Sequence, residues 1–287
     1  MECFPIRTDL ALESKERIEA EKNELRGVTF EEIFDEIRNV TITKVRVETE
    51  NGAKAIGKPI GTYLTIEAPD MVAPDEGSHR EISEVLSEQL KELIGEDVRS
   101  VLVVGLGNRE VTPDALGPEV ISNLYITRHL LKEYGDYAFS GKKVAAISGI
   151  VPGVMAQTGM ETLEIIKGII RETAPQIVIA IDALAARSIK RLGRTIQIAD
   201  TGINPGSGVG NHRRGLNQES LGVPVVAIGV PLVVDAATIV YDVCRDVDKI
   251  PNGIVGMFVT PKNIDETVKY LSYTISEALN QTFELNF

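Results

Sequence analysis

The fold class is indicated most clearly by a stretch that reads Ile-Val-Ile-Ala-Ile-Asp-Ala-Leu-Ala-Ala-Arg (residues 177–187). Five apolar and mostly β-branched residues precede Asp182, which is the pattern of a strand buried on both faces of a parallel sheet. A second apolar run, at residues 100–104, leads through a glycine-rich turn to Asp114. Ligands of open parallel sheets bind outside the carboxyl ends of the strands. We therefore expect Asp114 and Asp182 to follow the ends of two strands and to converge on one site.

Strands and helices alternate on either side of these two runs. Hydrophobic periodicity predicts the main strands at 100–104, 143–148, 176–181, 195–199, 224–230 and 254–259, and the main helices at 116–132, 158–173, 232–245 and 263–280. This alternation predicts an α/β fold of the phosphorylase/hydrolase-like kind, with a mostly parallel twisted sheet and helices on both faces.

The first third of the chain has a different pattern. Residues 40–49 and 61–68 alternate apolar and polar side chains, as half-exposed strands do, and Asn51-Gly52 is a turn signal between them. Residues 78–94 have the apolar stripe of an amphipathic helix, and residues 10–26 form either a helix or a solvated arm. We interpret residues 10–287 as a single α/β domain with an N-terminal hairpin elaboration at 10–97 and a core at 98–287, in preference to two domains divided near residue 97.

Composition narrows the classes of function. The formal net charge of −12 disfavours a surface that neutralises phosphates, so we expect no direct nucleic-acid binding. The chain has no apolar run of membrane-span length and no signal-like start, which predicts a cytoplasmic protein without a membrane partner. Cys3 and Cys244 form neither a zinc motif nor a disulfide framework, and we expect no cofactor and no metal.

Each aspartate also has an ordinary interpretation. Asp114 follows Thr112-Pro113 and could cap a helix that begins near Ala115, which is worth about 1 kcal/mol. Asp182 could cap a following helix or pair with Arg187. The functional interpretation is that the two carboxylates lie together at one edge of the sheet. Two such carboxylates can share a proton, act as acid and base on a water molecule, or hold a metal.

Two glycine-rich segments are candidates for contacts with a ligand. Gly105-Leu106-Gly107-Asn108 has neither the third glycine of a dinucleotide fingerprint nor the lysine of a P-loop. Residues 202–210 form the second segment. Glycine lets a backbone approach a ligand closely, and backbone N–H groups can bind a developing oxyanion. The candidate residues for this role are Gly107, Asn108, Gly206, Ser207 and Gly208. Ordinary turns, or a module that binds a small anion, remain alternatives.

Several of these motifs together resemble the spore germination proteases of endospore-forming Firmicutes. The resemblance runs from Ile6 to the last helix, and the segments that carry it lie at 104–118, 127–130, 152–155, 158–162, 181–187 and 200–211. It implies an endopeptidase that degrades small acid-soluble spore proteins during germination, works in the forespore or spore core and forms a homotetramer. It also implies a catalytic pair at Asp114 and Asp182, of aspartic type but not of the pepsin fold.

The same resemblance implies that the chain is made as a zymogen. Thr8-Asp9-Leu10-Ala11-Leu12-Glu13 is similar to the cleavage site of the family's substrates, so residues 1–9 are expected to be a pro-segment that is removed by self-cleavage between Asp9 and Leu10. The family is similar to the hydrogenase-maturation endopeptidases. A metal-dependent peptidase of that kind is therefore the alternative enzyme.

Overall fold

The structure, a computed structural model, describes residues 8–20, 26–72, 76–95, 97–206, 214–244 and 250–285. Its strands are β1 (Val28–Asp35), β2 (Val40–Val47), β3 (Gly61–Glu67), β4 (Ser100–Gly105), β5 (Ala146–Ile150), β6 (Ile177–Ala186), β7 (Thr195–Ala199), β8 (Val225–Asp235) and β9 (Phe258–Val259). Its α-helices are α1 (Ala11–Ala20), α2 (Glu50–Ile56), α3 (Glu76–Ile94), α4 (Leu116–Asn123), α5 (Arg128–Tyr134), α6 (Met155–Thr158), α7 (Thr162–Thr173), α8 (Gln218–Leu221), α9 (Ala236–Cys244) and α10 (Ile264–Thr282).

The strands form one mixed sheet in the order β1-β2-β3-β7-β8-β6-β4-β5, and β9 pairs with β8. Strands β8, β6, β4 and β5 are parallel neighbours, whereas β1, β2, β3 and β7 extend the sheet antiparallel. The α/β fold is therefore confirmed, but the expectation of mostly parallel pairing holds only for those four strands. The physical reason is that β2 and β3 alternate apolar and polar side chains, a pattern that suits antiparallel pairing with one face exposed.

The two strands predicted in the N-terminal region are present as β2 and β3 and pair antiparallel, but α2 connects them, and the hairpin is formed by β1 and β2. The turn predicted at Asn51-Gly52 is wrong, because both residues lie inside α2. Thr49 caps this helix, and its side chain accepts a hydrogen bond from the Gly52 N–H at 3.1 Å. A side chain that satisfies a free N–H at a helix start stabilises the helix by about 1 kcal/mol. This cap prevails over the local turn preference of the Asn-Gly pair.

Two predicted strand ends lie further along the chain than expected. Strand β8 continues to Asp235, whose carboxylate accepts the Thr238 N–H at 2.9 Å and so caps α9. Strand β6 continues past Asp182 to Ala186, paired with β8 on both sides of an irregularity at Leu184/Ala185. Asp182 therefore lies within a strand, and the helix expected after it does not form.

Burial of apolar side chains explains why a carboxylate is carried into the sheet. Successive residues of a strand point to opposite faces. In β6, Val178 and Ala180 belong to an apolar cluster with α7 and α8, and Leu184 and Ala186 belong to another cluster that includes Leu10. Burying an aliphatic side chain is worth about 1.5–3 kcal/mol, so these neighbours hold the register. Asp182 falls between the two clusters on the same face and is only 5% exposed.

Candidate active site

Both predicted aspartates line one cavity of about 320 Å³, together with Gly107, Gly206 and Asp9. Asp114 reaches it from the loop after β4, and Asp182 reaches it from within β6. A cavity of this size suits a few residues of a bound peptide, because ligand pockets commonly begin near 300 Å³. The structure thus brings together two carboxylates that are far apart in the sequence.

The loop after β4 is wound around Asp114. The Asn108 N–H donates to the Asp114 carboxylate oxygen Oδ2 at 2.8 Å and to its carbonyl oxygen at 3.1 Å. Gly107 has a φ of +111°, and a Cβ atom there would lie 2.0 Å from the Asp114 carbonyl oxygen. The N-cap of α4 is Ala115, and no side chain caps it. The helix-capping interpretation of Asp114 is therefore wrong, and the loop instead orients its carboxylate.

Asp182 is held within the sheet opposite Gly229 of β8. Its Oδ1 accepts the N–H of Ala183 at 3.0 Å. Capping of a following helix is excluded as its role because β6 continues beyond it, and Arg187 makes an ion pair with Asp242 at 2.7 Å. An ionised carboxylate in such a buried place is costly without a partner or a proton. This position fits a group that exchanges protons with a second carboxylate.

The five backbone candidates for oxyanion binding are distributed unequally. Gly107 and Gly206 line the cavity. The Asn108 N–H is directed at Asp114, so this residue positions a carboxylate and is not available to bind an oxyanion. Ser207 and Gly208 lie outside the described residues. Because the first glycine-rich turn uses an N–H to hold the chain's own carboxylate, it supports the anion-binding alternative poorly.

The N-terminal segment, residues 8–13, enters this site like a bound peptide. The Asp9 N–H donates to the Ala185 carbonyl at 2.9 Å, and the Ala185 N–H donates to the Asp9 carboxylate at 2.9 Å. The Asp9 carbonyl oxygen accepts hydrogen bonds from Lys58 Nζ at 2.8 Å and from Gln197 Nε2 at 3.1 Å. The predicted self-cleavage bond between Asp9 and Leu10 therefore lies beside the cavity of the two aspartates.

Glu13 anchors the other end of this segment. It is 2% exposed, and its carboxylate accepts the N–H groups of Arg187 at 2.7 Å and Ser188 at 2.9 Å. The Thr8 hydroxyl also donates to it, and Arg191 Nε lies 3.5 Å away. Sequence reasoning missed these contacts. The only signal was the likeness of residues 8–13 to a substrate, which suggested that they would occupy the site.

Lys58, which donates to the Asp9 carbonyl oxygen, is affected by its surroundings. Burial lowers the pKa of Lys58 below its ordinary value, although the carboxylates of Asp9 and Glu13 act in the opposite direction. Within the described ranges, no three His, Cys, Asp or Glu side chains form a group that could hold a metal ion. Over the same part of the chain, no helix combines the length and the apolar character needed to cross a bilayer.

Comparison with known proteins shows that this chain is a peptidase of a known family. Residues 6–250 match a family model of peptidases described as "Germination protease". Similar curated proteins include the germination proteases of Clostridium perfringens (strain ATCC 13124; 42% identity, 99% of this chain and 96% of the relative) and of Caldanaerobacter subterraneus subsp. tengcongensis (44% identity, 96% and 93%). That of Priestia megaterium is 47% identical over 78% of this chain and 62% of its own length. The chain belongs to the germination protease family.

A solved structure with partial likeness is the [NiFe] hydrogenase maturation protease HycI from Thermococcus kodakarensis. It is 22% identical to this chain and covers 68% of it, and the alignment includes 99% of HycI. The TM-score is 0.35, so the overlap supports no argument about mechanism.

Proposed function

We propose that this chain degrades small acid-soluble spore proteins during spore germination and that Asp114 and Asp182 are its catalytic pair. Family membership supports the peptidase activity. The observation that supports the catalytic pair is that both carboxylates line one cavity with Asp9. Asp9 belongs to a segment that is held like a peptide substrate.

The proposed chemistry is attack by water on a peptide carbonyl. One carboxylate of the pair is ionised and takes a proton from the water, and the other is protonated and donates its proton to the leaving amine. Two carboxylates that share a site readily hold one proton between them. The Asn108 N–H fixes the orientation of Asp114, and the pairing of β6 with β8 fixes Asp182.

The proposal includes zymogen control. Residues 1–9 are the pro-segment, and the chain cuts itself between Asp9 and Leu10. Residues 1–7 of this pro-segment lie outside the described residues. Until cleavage, Asp9 lies where a substrate would need to bind, since it pairs with Ala185 beside the cavity. A location in the spore core and a homotetrameric assembly are part of the same proposal and rest on the family resemblance. Light scattering on the purified protein tests the assembly.

The decisive experiment incubates the purified chain with a small acid-soluble spore protein at mildly acidic and at neutral pH and maps the cuts by mass spectrometry. Asp114→Asn and Asp182→Asn should each lower the rate by about 10²-fold or more, as expected for the loss of a general acid or base. Asp136→Asn, at an exposed residue, is the matched control and should cut normally. Normal cutting by either site variant would exclude this catalytic pair.

A chelator separates the proposal from the metal-dependent alternative. Proteolysis by an aspartate pair alone should be unchanged after chelation. Loss of activity that a divalent ion restores would instead favour the metal-dependent peptidase.

A further inference from the structure

The carbonyl group of Asp9 accepts hydrogen bonds from two side chains that have no role in the proton transfers proposed above. Lys58 Nζ and Gln197 Nε2 donate to its oxygen at 2.8 and 3.1 Å. On the other side of the Asp9–Leu10 bond, Gln197 Oε1 accepts the Ala11 N–H at 2.7 Å. A single amide side chain therefore spans the bond that we propose is cut.

Both donors are supported by regular structure. Gln197 is 8% exposed and lies in β7, where it pairs with Thr65 of β3 and Gly229 of β8. Lys58 follows the C-cap of α2, and its N–H donates to the Ala53 carbonyl at 3.2 Å. Donors that are held in place before the reaction stabilise a developing charge without reorganising.

The two donors and the two carboxylates meet at Asp9. Asp9 lines the larger cavity with Asp114 and Asp182, and it lines a smaller cavity of about 80 Å³ with Lys58, Gln197 and Asp182. Asp9 therefore shares its cavities with both carboxylates, and its carbonyl oxygen accepts a hydrogen bond from a cationic donor. This combination is what hydrolysis of a peptide bond requires.

We infer that Lys58 and Gln197 bind the oxyanion that forms when the bond after Asp9 is cut, and that they do the same for the equivalent carbonyl of a substrate. The inference rests on the proposed function. Water oxygen adds to the Asp9 carbonyl carbon while one carboxylate takes the water proton, and the carbonyl electron pair moves to the oxygen beside Lys58 and Gln197. The C–N bond to Leu10 then breaks, and its nitrogen takes a proton from the other carboxylate. The products are a carboxyl group on Asp9 and an amine on Leu10.

The oxyanion role of Lys58 predicts how the rate of self-cleavage depends on pH. Lys58 stabilises an oxyanion best while it is charged, and burial lowers its pKa although Asp9 and Glu13 oppose the change. The other titratable groups that line its cavity are Asp182 and Tyr63. Self-cleavage should therefore decline on the alkaline side at a lower pH than an exposed lysine would give. Lys58→Arg keeps the positive charge and should move this decline to higher pH.

The test follows self-cleavage of the full-length chain by intact-mass spectrometry. Lys58→Met removes the charge, and Gln197→Glu removes the donor but keeps an acceptor for the Ala11 N–H. Each variant should slow self-cleavage by about 10²–10³-fold, the usual effect of losing one oxyanion donor. Lys54→Met, at an exposed residue of α2, is the matched control and should process normally. Hydrogen exchange of residues 10–14 shows whether a variant has merely released the segment.

The outcomes separate this inference from the proposed function. If the unsubstituted chain does not cut itself after Asp9 and does not cut a spore protein, both fail. If it cuts, Asp114→Asn does not, and Lys58→Met and Gln197→Glu process at the normal rate, the function stands and the oxyanion role is overturned. If Lys58→Met does not fold, the Lys58→Arg pH profile decides, and an unmoved alkaline limb overturns the role.

Discussion

Replacing Glu13 with glutamine should make the N-terminal segment leave the sheet more often. The Glu13 carboxylate accepts two backbone N–H groups, from Arg187 at 2.7 Å and Ser188 at 2.9 Å. Glutamine keeps one acceptor oxygen, but its NH₂ group would then face an N–H donor. A hydrogen bond to a charged group contributes about 1.5–3 kcal/mol. Glu13→Gln loses one such bond and leaves the other with a neutral acceptor. The free energy that holds the segment on the sheet should therefore fall by about 3 kcal/mol.

The contact of Glu13 with Arg191 adds little to this sum. Its N···O distance is 3.5 Å, whereas Arg191 keeps Glu16 and Glu67 as partners at 2.6 Å each. The arginine is thus not left as an unpaired buried charge, which is the situation that makes broken ion pairs expensive. The cost of Glu13→Gln therefore comes mainly from the backbone hydrogen bonds, and the Thr8 hydroxyl is a third donor to the same carboxylate.

Amide hydrogen exchange measures this release. A cost of 3 kcal/mol corresponds to roughly 100-fold more frequent opening, which should appear as faster exchange in peptides covering residues 8–14, with no change in β4. Glu16→Gln is the matched control, because the Glu16 side chain is 52% exposed and its partner Arg191 keeps Glu67 at 2.6 Å. If the two variants exchange alike, Glu13 is not the anchor.

Other changes have equally defined outcomes. Gly117→Ala should lower stability by about 1–3 kcal/mol in urea unfolding, because its Cβ would lie 2.4 Å from a backbone carbonyl oxygen, whereas Gly168→Ala meets nothing within 4 Å and should stabilise helix α7. Burial lowers the pKa of His79 below 6.5, so the unfolded chain binds this proton more readily. Stability should fall as the pH drops through 6.5, and His79→Gln should reduce that fall in urea unfolding at neutral and mildly acidic pH. Cleavage after Asp9 should turn the N–H of the fully buried Leu10 into an ammonium group, so residues 10–14 should exchange faster in the cleaved chain than in the intact one.

The central strands and the convergence of the two aspartates could be predicted because both follow from burial. Runs such as those of β4, β6 and β8 are apolar at nearly every position, and only a sheet covered on both faces buries them. A carboxylate next to such a run must then lie close to the same layer. The predicted end of strand β6 is wrong. Residues Ala183 to Ala186 suit a helix as well as a strand, and only their pairing with β8 decides between the two.

The contacts of the N-terminal segment could not be predicted from local patterns. Lys58 follows a short helix and Gln197 lies in a short strand, and neither stands in a recognisable motif. They meet at Asp9 because β7 lies between β3, which follows α2 in the chain, and β8, which is the neighbour of β6. Long-range pairing of this kind depends on the whole sheet, whereas periodicity reports a few neighbouring residues.

The proposed cleavage would affect the two ends of the segment unequally, and this bears on how the site opens. Departure of residues 1–9 removes the bonds of Asp9 to Ala185, Lys58 and Gln197. Leu10 stays attached through Glu13 but acquires a charge at a fully buried nitrogen, and its former partner, the Thr8 hydroxyl, leaves. Burying an ion costs several kcal/mol, which is comparable to the roughly 3 kcal/mol that the Glu13 hydrogen bonds contribute. The new charge therefore opposes the anchor, although burial of Leu10 and the bond from the Ala11 N–H to Gln197 still hold the segment, so cutting the bond should loosen residues 10–14 without expelling them.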